Sequence, residues 1–147
     1  MTYKEEIRDL FSVPDDYYLV HCISADFAMG KGIAVEFNKR FNMKTKLHIC
    51  FYKYLDEFIK NNYQFDCLVM DKVFNLITKE RYWQKPTYKT MQGALEIMKM
   101  MATENGVKKI AMPIIGCGLD QLQWDKVSKI IQEVFEDTDI EILVCKQ

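Results

Sequence analysis

The chain has little of what marks specialised protein architectures. Its 147 residues include three prolines and six glycines, too few for a flexible or proline-rich linker, and it has no apolar run of the roughly 20 residues that cross a bilayer. The formal net charge is −1, so no surplus of positive charge attracts a nucleic-acid backbone or an anionic membrane. Apolar residues make up 49% and charged residues 28%, as in globular proteins. We therefore expect one domain, residues 1–147, with a sizeable core and no membrane partner.

The cysteine pattern argues against cross-links and metal. The five cysteines are odd in number, widely spread and never paired as C-x-x-C, which disfavours a disulfide framework and a zinc site. Three of them fall in apolar, strand-like runs, where a free cysteine behaves as a small hydrophobic residue. Because the N-terminus also lacks the apolar run of a signal peptide, we expect a cytoplasmic monomer, or a nuclear one in a eukaryote, with no metal and no cofactor.

Strand patterns alternate with helical patterns along the chain. Helical periodicity begins at Ile33, continues over residues 45–60, and recurs from Tyr88 and over residues 124–135, with Thr87 as a cap and Asn105-Gly106 as a stop. Strands are predicted at residues 2–5, 17–23, 65–70, 73–78, 108–112 and 140–145, and two of these are joined as a hairpin at Asp71-Lys72. Alternation with one hairpin predicts an α/β fold, a single three-layer α/β/α domain with a mixed central sheet.

Two short glycine loops lie in equivalent places. Gly30-Lys31-Gly32 and Gly116-Cys117-Gly118 each follow a predicted strand and precede a helix. Glycine brings backbone N–H groups within reach of a phosphate and permits positive φ. Such loops gather at the carboxyl ends of the strands, so the two could hold a diphosphate between them. Neither is a known nucleotide fingerprint, and a plain strand-to-helix turn explains either one alone; Lys31 is then a phosphate contact or an exposed loop lysine.

A lysine and an aspartate flank these loops. Lys79 ends an apolar run at a predicted strand's carboxyl end, where a neutral amine can attack an anomeric carbon. Asp120 closes the second glycine loop, where a carboxylate can act as general acid or base. The alternatives are a solvated lysine that marks a strand end and a carboxylate that favours a helix dipole.

Several other residues have a structural interpretation, alone or beside a functional one. Asp9 either accepts a hydrogen bond from an exocyclic amine or is a turn aspartate. We interpret His21 and His48 as structural, and Cys117 as serving through its backbone, since no histidine is near it in the sequence to activate the thiol. Tyr82 and Trp83 either stack on a ligand or cap the core.

The sequence resembles the macrodomain family. The resemblance is carried by His21-Cys22-Ile23-Ser24, Met29-Gly30-Lys31-Gly32-Ile33-Ala34-Val35, Leu76-Ile77-Thr78-Lys79, Lys85-Pro86-Thr87-Tyr88 and Met112-Pro113-Ile114-Ile115-Gly116-Cys117-Gly118-Leu119-Asp120. Within the family it is similar to the branches that remove terminal ADP-ribose from proteins and to the antitoxins that act on ADP-ribosylated DNA. The expected partners are thus ADP-ribose, or ADP-ribosylated protein or DNA.

The resemblance also implies site residues. Lys79 would form a covalent lysyl-ADP-ribose species and Asp120 would assist its hydrolysis by water. The ligand would be lined by Asp9, Leu10, Ser24, Met29, Gly30, Lys31, Gly32, Ile33, Ile114, Ile115, Gly116, Cys117, Gly118, Leu119 and Gln147. Two alternatives keep the fold: a deacetylase of O-acetyl-ADP-ribose or phosphatase of ADP-ribose-1''-phosphate, and a module that only binds ADP-ribose.

Overall fold

A computed structural model describes all residues, 1–147, as one mixed sheet with helices on both faces. The strands are β1 (Thr2–Ile7), β2 (Tyr18–Ser24), β3 (Asp66–Met70), β4 (Val73–Lys79), β5 (Lys109–Met112) and β6 (Glu141–Lys146). The helices are α1 (Ile33–Phe41), α2 (Met43–Cys50), α3 (Tyr54–Lys60), α4 (Tyr88–Glu104) and α5 (Trp124–Phe135), with a short 3-10 helix at Leu10–Ser12. None of these helices is long and apolar enough to cross a membrane.

The sheet has the strand order β1-β6-β5-β2-β4-β3, and every neighbouring pair is parallel except β3 with β4. The predicted hairpin is confirmed: Asp71 and Lys72 form its two-residue turn with φ of 51° and 61°, as the right-handed twist of paired strands requires. Five strands thus point the same way. The segments that follow them all leave from one edge of the sheet, called here the carboxyl edge.

Each face of the sheet has its own apolar core. Helices α4 and α5 cover one face through side chains such as Met91, Leu95 and Ile131, and α1 to α3 cover the other through Phe37 and Phe58. Adjacent residues of one strand point to opposite faces, so the apolar strands are buried on both sides. The predicted three-layer α/β/α fold is confirmed.

The caps of α4 explain its sharp ends. Thr87 accepts a hydrogen bond from the Thr90 N–H, and the Thr90 hydroxyl accepts one from the Thr87 N–H, which together form a capping box. At the other end, Asn105 is the C-cap and Gly106 follows with φ of 66°, the left-handed conformation that glycine favours after a helix. Both predicted ends are confirmed.

The structure corrects two predicted elements. Residues 45–60 are two helices instead of one, because the chain turns at Phe51 and Lys53 has φ of 57°. The turn lets Tyr54 stack on Phe27 at 5.4 Å between ring centroids, and no glycine or proline marks it in the sequence. β1 reaches Ile7 instead of residue 5, since an edge strand tolerates charged side chains while its backbone pairs with β6.

Candidate functional site

The candidate site lies where the chain leaves two neighbouring strands in opposite directions. β2 and β5 are adjacent in the sheet, with Leu19 paired to Ala111. The first loop, residues 25–32, runs from β2 to α1 on one face, and the second loop, residues 113–123, runs from β5 to α5 on the other. Loops that diverge from adjacent parallel strands leave a crevice at the carboxyl edge, the usual ligand position in an open α/β sheet.

Backbone N–H groups line this crevice. In the first loop and the first turn of α1, the N–H groups of residues 29–34 donate to no other group in the chain. In the second loop the same is true of Gly116, Gly118 and Leu119. Backbone N–H groups without an internal acceptor, beside a helix N-terminus, suit a bound anion such as a diphosphate.

Two of the glycines are required by their conformation or their surroundings. Gly32 has φ of 65° and ψ of −152°, a region that residues with a Cβ essentially avoid. Gly116 has φ of 73°, and a Cβ there would lie 2.6 Å from Met91 Cε. A Cβ on Gly32 would lie 3.6 Å from Leu119 Cδ1, so the two loops meet at this point.

Lys79 and Asp120 come together at the crevice. Lys79 Nζ donates to Asp120 Oδ1 at 2.7 Å, and the two side chains are only 14% and 16% exposed. Lys79 is aimed there by an irregularity in the β2 and β4 pairing, where Ile23 pairs with Ile77 but Ser24 pairs with Lys79. Bulges of this kind re-aim side chains beside active sites. The structure thus joins the two predicted catalytic residues in a largely desolvated ion pair.

Asp26 is a site residue that the sequence reading missed. Its Oδ1 accepts hydrogen bonds from the Ser24 hydroxyl and the Ala28 N–H, and its Oδ2 accepts one from the Tyr82 N–H at 3.0 Å. It therefore ties the first loop to residues 80–86, called here the aromatic loop. An aspartate two residues after a strand-ending serine is a common turn former, and that signal could have indicated it.

The side chains of several predicted ligand residues are buried beneath the two loops. Leu10, Met29 and Ile115 are 3%, 7% and 3% exposed, and their side chains pack in the apolar cores, while Met29 lines the crevice through its backbone N–H. The buried Ser24 hydroxyl donates to Asp26. The partly buried Ile33 packs against the core beneath the first loop. By contrast, Ile114 and Leu119 are exposed and available for contact.

Asp9, Lys31 and Gln147 lie in the outer part of the same edge. Asp9 follows β1, and its Oδ1 accepts a hydrogen bond from the Phe11 N–H at 2.9 Å, so it is a turn residue with its second oxygen uncommitted. Gln147 follows β6 and is exposed. Lys31 is exposed and forms no ion pair.

The thiol of Cys117 is poorly suited to nucleophilic attack. Burial, together with the negative charges of Asp120 and Asp125, raises the pKa of Cys117 to about 11, whereas a reactive cysteine needs a thiolate. Its Sγ donates instead to the Ile115 carbonyl at 3.3 Å. No group of three or more His, Cys, Asp or Glu side chains is arranged to hold a metal ion.

Comparison with known proteins gives the family. Residues 20–131 match the family model described as Macro domain. The chain is a macrodomain. It is 47% identical over 140 residues to the ADP-ribose glycohydrolase OARD1 of Bos taurus, which covers 92% of this chain and 86% of that protein. The Homo sapiens protein of the same name is 46% identical over 140 residues, with the same coverage.

The fold itself is shared more widely. The macrodomain of Mycobacterium tuberculosis DarG superposes on this macrodomain with a TM-score of 0.80 at 21% sequence identity, over 98% of this chain and 97% of that chain. At this identity the likeness concerns the fold. It agrees with the family resemblance of the glycine loops.

Proposed function

We propose that this macrodomain is an ADP-ribose glycohydrolase, which removes ADP-ribose from an acidic protein residue or a DNA base through a covalent intermediate on Lys79. The observation that carries the proposal is the 2.7 Å hydrogen bond between Lys79 Nζ and Asp120 Oδ1 beside the amide-lined crevice. The 47% identity to a protein named ADP-ribose glycohydrolase supports the reaction class.

In this proposal, ADP-ribose lies across the crevice from β1 toward β4. The diphosphate binds the free N–H groups of the two loops, where backbone donors match its charge without a net positive chain. The distal ribose then lies toward Lys79 and Asp120, at the junction of β4 and the second loop. The adenine lies toward β1, where the uncommitted oxygen of Asp9 accepts a hydrogen bond from its amine.

The first chemical step transfers the sugar to Lys79. The ion pair places the proton donor and the proton acceptor in contact. Asp120 takes one proton from the Lys79 ammonium across the 2.7 Å hydrogen bond, which leaves a neutral amine. The Nζ lone pair attacks the anomeric carbon of the distal ribose, and the bond from that carbon to the target breaks with its electron pair on the target atom. Asp120 returns the proton to that atom, which leaves a lysyl-ADP-ribose cation beside a carboxylate.

The second step releases the product. Asp120 accepts a proton from a water that attacks the same carbon, and the carbon–nitrogen bond breaks with its electrons on Lys79. The proton then passes from Asp120 to the amine, so the original ion pair is restored. Because water is a weaker nucleophile than an amine, this step depends more strongly on the carboxylate.

Turnover of three conjugates tests the proposal: a peptide with ADP-ribose on a glutamate ester, an ADP-ribosylated DNA oligonucleotide and O-acetyl-ADP-ribose. We expect Lys79→Ala to lower kcat by at least about 10³-fold, as loss of a nucleophile does. Lys108→Ala is the matched control, because the ion pair of Lys108 with Asp139 lies at the opposite edge of the sheet.

Full turnover by Lys79→Ala would refute the covalent mechanism. If Asp120→Ala alone lost activity, the reaction would be hydrolysis by a positioned water, as in deacetylation. If the wild-type protein bound free ADP-ribose but released no product from any conjugate, it would be a binding module.

A further inference from the structure

Two large aromatic side chains stand exposed just after Lys79. Tyr82 and Trp83 are 59% and 63% exposed, and their rings meet edge to face at 5.1 Å between centroids. They therefore do not cap the core, which was one of the two readings of the sequence. Adjacent exposed aromatic rings beside a site are typical of a surface that contacts a partner.

The aromatic loop is tied to both glycine loops. The Tyr82 N–H donates to Asp26 Oδ2 in the first loop at 3.0 Å, and Lys85 Nζ donates to the Leu119 carbonyl in the second loop at 2.6 Å. Within the loop, the Arg81 N–H donates to Gln84 Oε1 at 2.7 Å. The ring pair is thus held at the mouth of the crevice, only three and four residues beyond Lys79, where the group that carries ADP-ribose must emerge.

The charge of this region differs from that of the whole chain. The aromatic loop contains Arg81 and Lys85 against Glu80, a net +1 in a chain of net −1. Arg81 Cζ lies 5.9 Å from the Trp83 ring centroid, and Arg81 Nε also pairs with Glu80 Oε2 at 3.4 Å. Lys31 in the first loop is exposed and is in none of the ion pairs of the chain. Cations next to stacking rings are the combination with which proteins bind single-stranded nucleic acid.

We propose that Tyr82 and Trp83 are specificity-determining residues that stack on a nucleobase at the ADP-ribosylated position of a single-stranded nucleic acid. The inference rests on the glycohydrolase function proposed above and adds a preference for a planar target over a protein ester. The rings supply stacking area, and Lys31, which has no ion-pair partner, contacts a phosphate of the strand.

Kinetics with two matched substrates test this inference. One is a single-stranded DNA oligonucleotide with one ADP-ribosylated base, and the other is a peptide with ADP-ribose on a glutamate ester. We expect the double variant Tyr82→Ala/Trp83→Ala to lower kcat/KM for the oligonucleotide about 10-fold or more, mainly through KM. Activity on the peptide should change less than about twofold, and Trp83→Phe should retain most activity on DNA because it keeps a ring to stack.

Tyr52→Ala is the control, since Tyr52 is an exposed aromatic residue outside the loops that line the crevice. An equal loss on both substrates, no loss on either, or a wild-type enzyme that acts on the peptide but not on the oligonucleotide would overturn the inference.

A binding measurement separates this inference from the proposed reaction. Fluorescence anisotropy with the labelled, ADP-ribosylated oligonucleotide and the Lys79→Ala protein needs no turnover. If the wild-type enzyme hydrolysed no conjugate, the proposed function would fail, and the binding result would still decide the inference. About 10-fold weaker binding after removal of both rings supports it, and unchanged binding overturns it.

Discussion

His21 should make the stability of this fold depend on acid. It lies within β2, fully buried, with its ring stacked on Phe37 at 3.9 Å between centroids. Its Nε2 donates to Asn75 Oδ1 at 2.6 Å, because the Asn75 amide nitrogen is committed to the Leu68 carbonyl at 3.0 Å. Its Nδ1 has no partner. A proton added there would be a buried donor without an acceptor, so the histidine stays neutral in the native protein.

The magnitude follows from the pKa. Burial lowers the pKa of His21 from 6.5 to about 4, and the hydrogen bond with Asn75 offsets only part of that effect. Between these two values the unfolded chain binds a proton that the native chain does not. The free energy of unfolding is therefore not reduced by His21 above pH 6.5, and it falls as the pH drops from 6.5 toward about 4. At about 1.4 kcal/mol per pH unit, the loss reaches roughly 3 kcal/mol.

Urea unfolding of the wild type and a His21→Gln variant isolates this contribution. Glutamine can still donate to Asn75 but does not titrate, so other acid-sensitive groups cancel in the comparison. Between about pH 7 and about pH 4.5, we expect the wild type to lose about 2 to 3 kcal/mol more than the variant. Equal losses, or a His21 imidazole that NMR finds to titrate near pH 6.5 in the folded protein, would refute the reasoning.

Two further substitutions test how the loops are built. Gly116→Ala should destabilise the protein by about 1 kcal/mol more than Gly106→Ala in thermal unfolding. Although φ is positive at both positions, a Cβ at Gly116 would lie 2.6 Å from the flexible end of Met91 and 3.1 Å from Leu122 Cδ1, and a Cβ at Gly106 would lie within 4 Å of nothing. Equal costs would contradict the packing. Asp26→Ala should raise KM for ADP-ribose conjugates about 10-fold and speed proteolytic cleavage near Tyr82, because the N–H groups of Ala28 and Tyr82 lose their acceptor. Unchanged cleavage and KM would show that Asp26 does not hold the loops.

The sequence was sufficient to predict the main architecture and the meeting of the site loops. Strand and helix patterns are local, and the carboxyl ends of parallel strands share one edge of the sheet. The sequence alone therefore predicts that Lys79 lies near the two glycine loops. The resemblance to macrodomains added the pairing of Lys79 with Asp120, which pattern alone left as one of two readings.

What the sequence could not supply depends on tertiary packing. The break between α2 and α3 has no glycine or proline, and it coincides with the positive φ of Lys53 and the packing of Tyr54 on Phe27. Periodicity could not tell whether Met29 lines the ligand or the core, nor whether Trp83 is buried or exposed, because loop residues have no regular period to read. Asp26 links two segments distant in sequence, and only the folded chain places them side by side.

The central claim is that Lys79 is the nucleophile, and peptide mass spectrometry of the Asp120→Ala protein tests it most directly. After brief mixing with the ADP-ribosylated glutamate peptide, we predict one ADP-ribosyl group on the peptide that contains Lys79, more abundant than in the wild type because loss of Asp120 slows hydrolysis of the intermediate more than its formation. Product release without any adduct on Lys79, in either protein, would contradict the account.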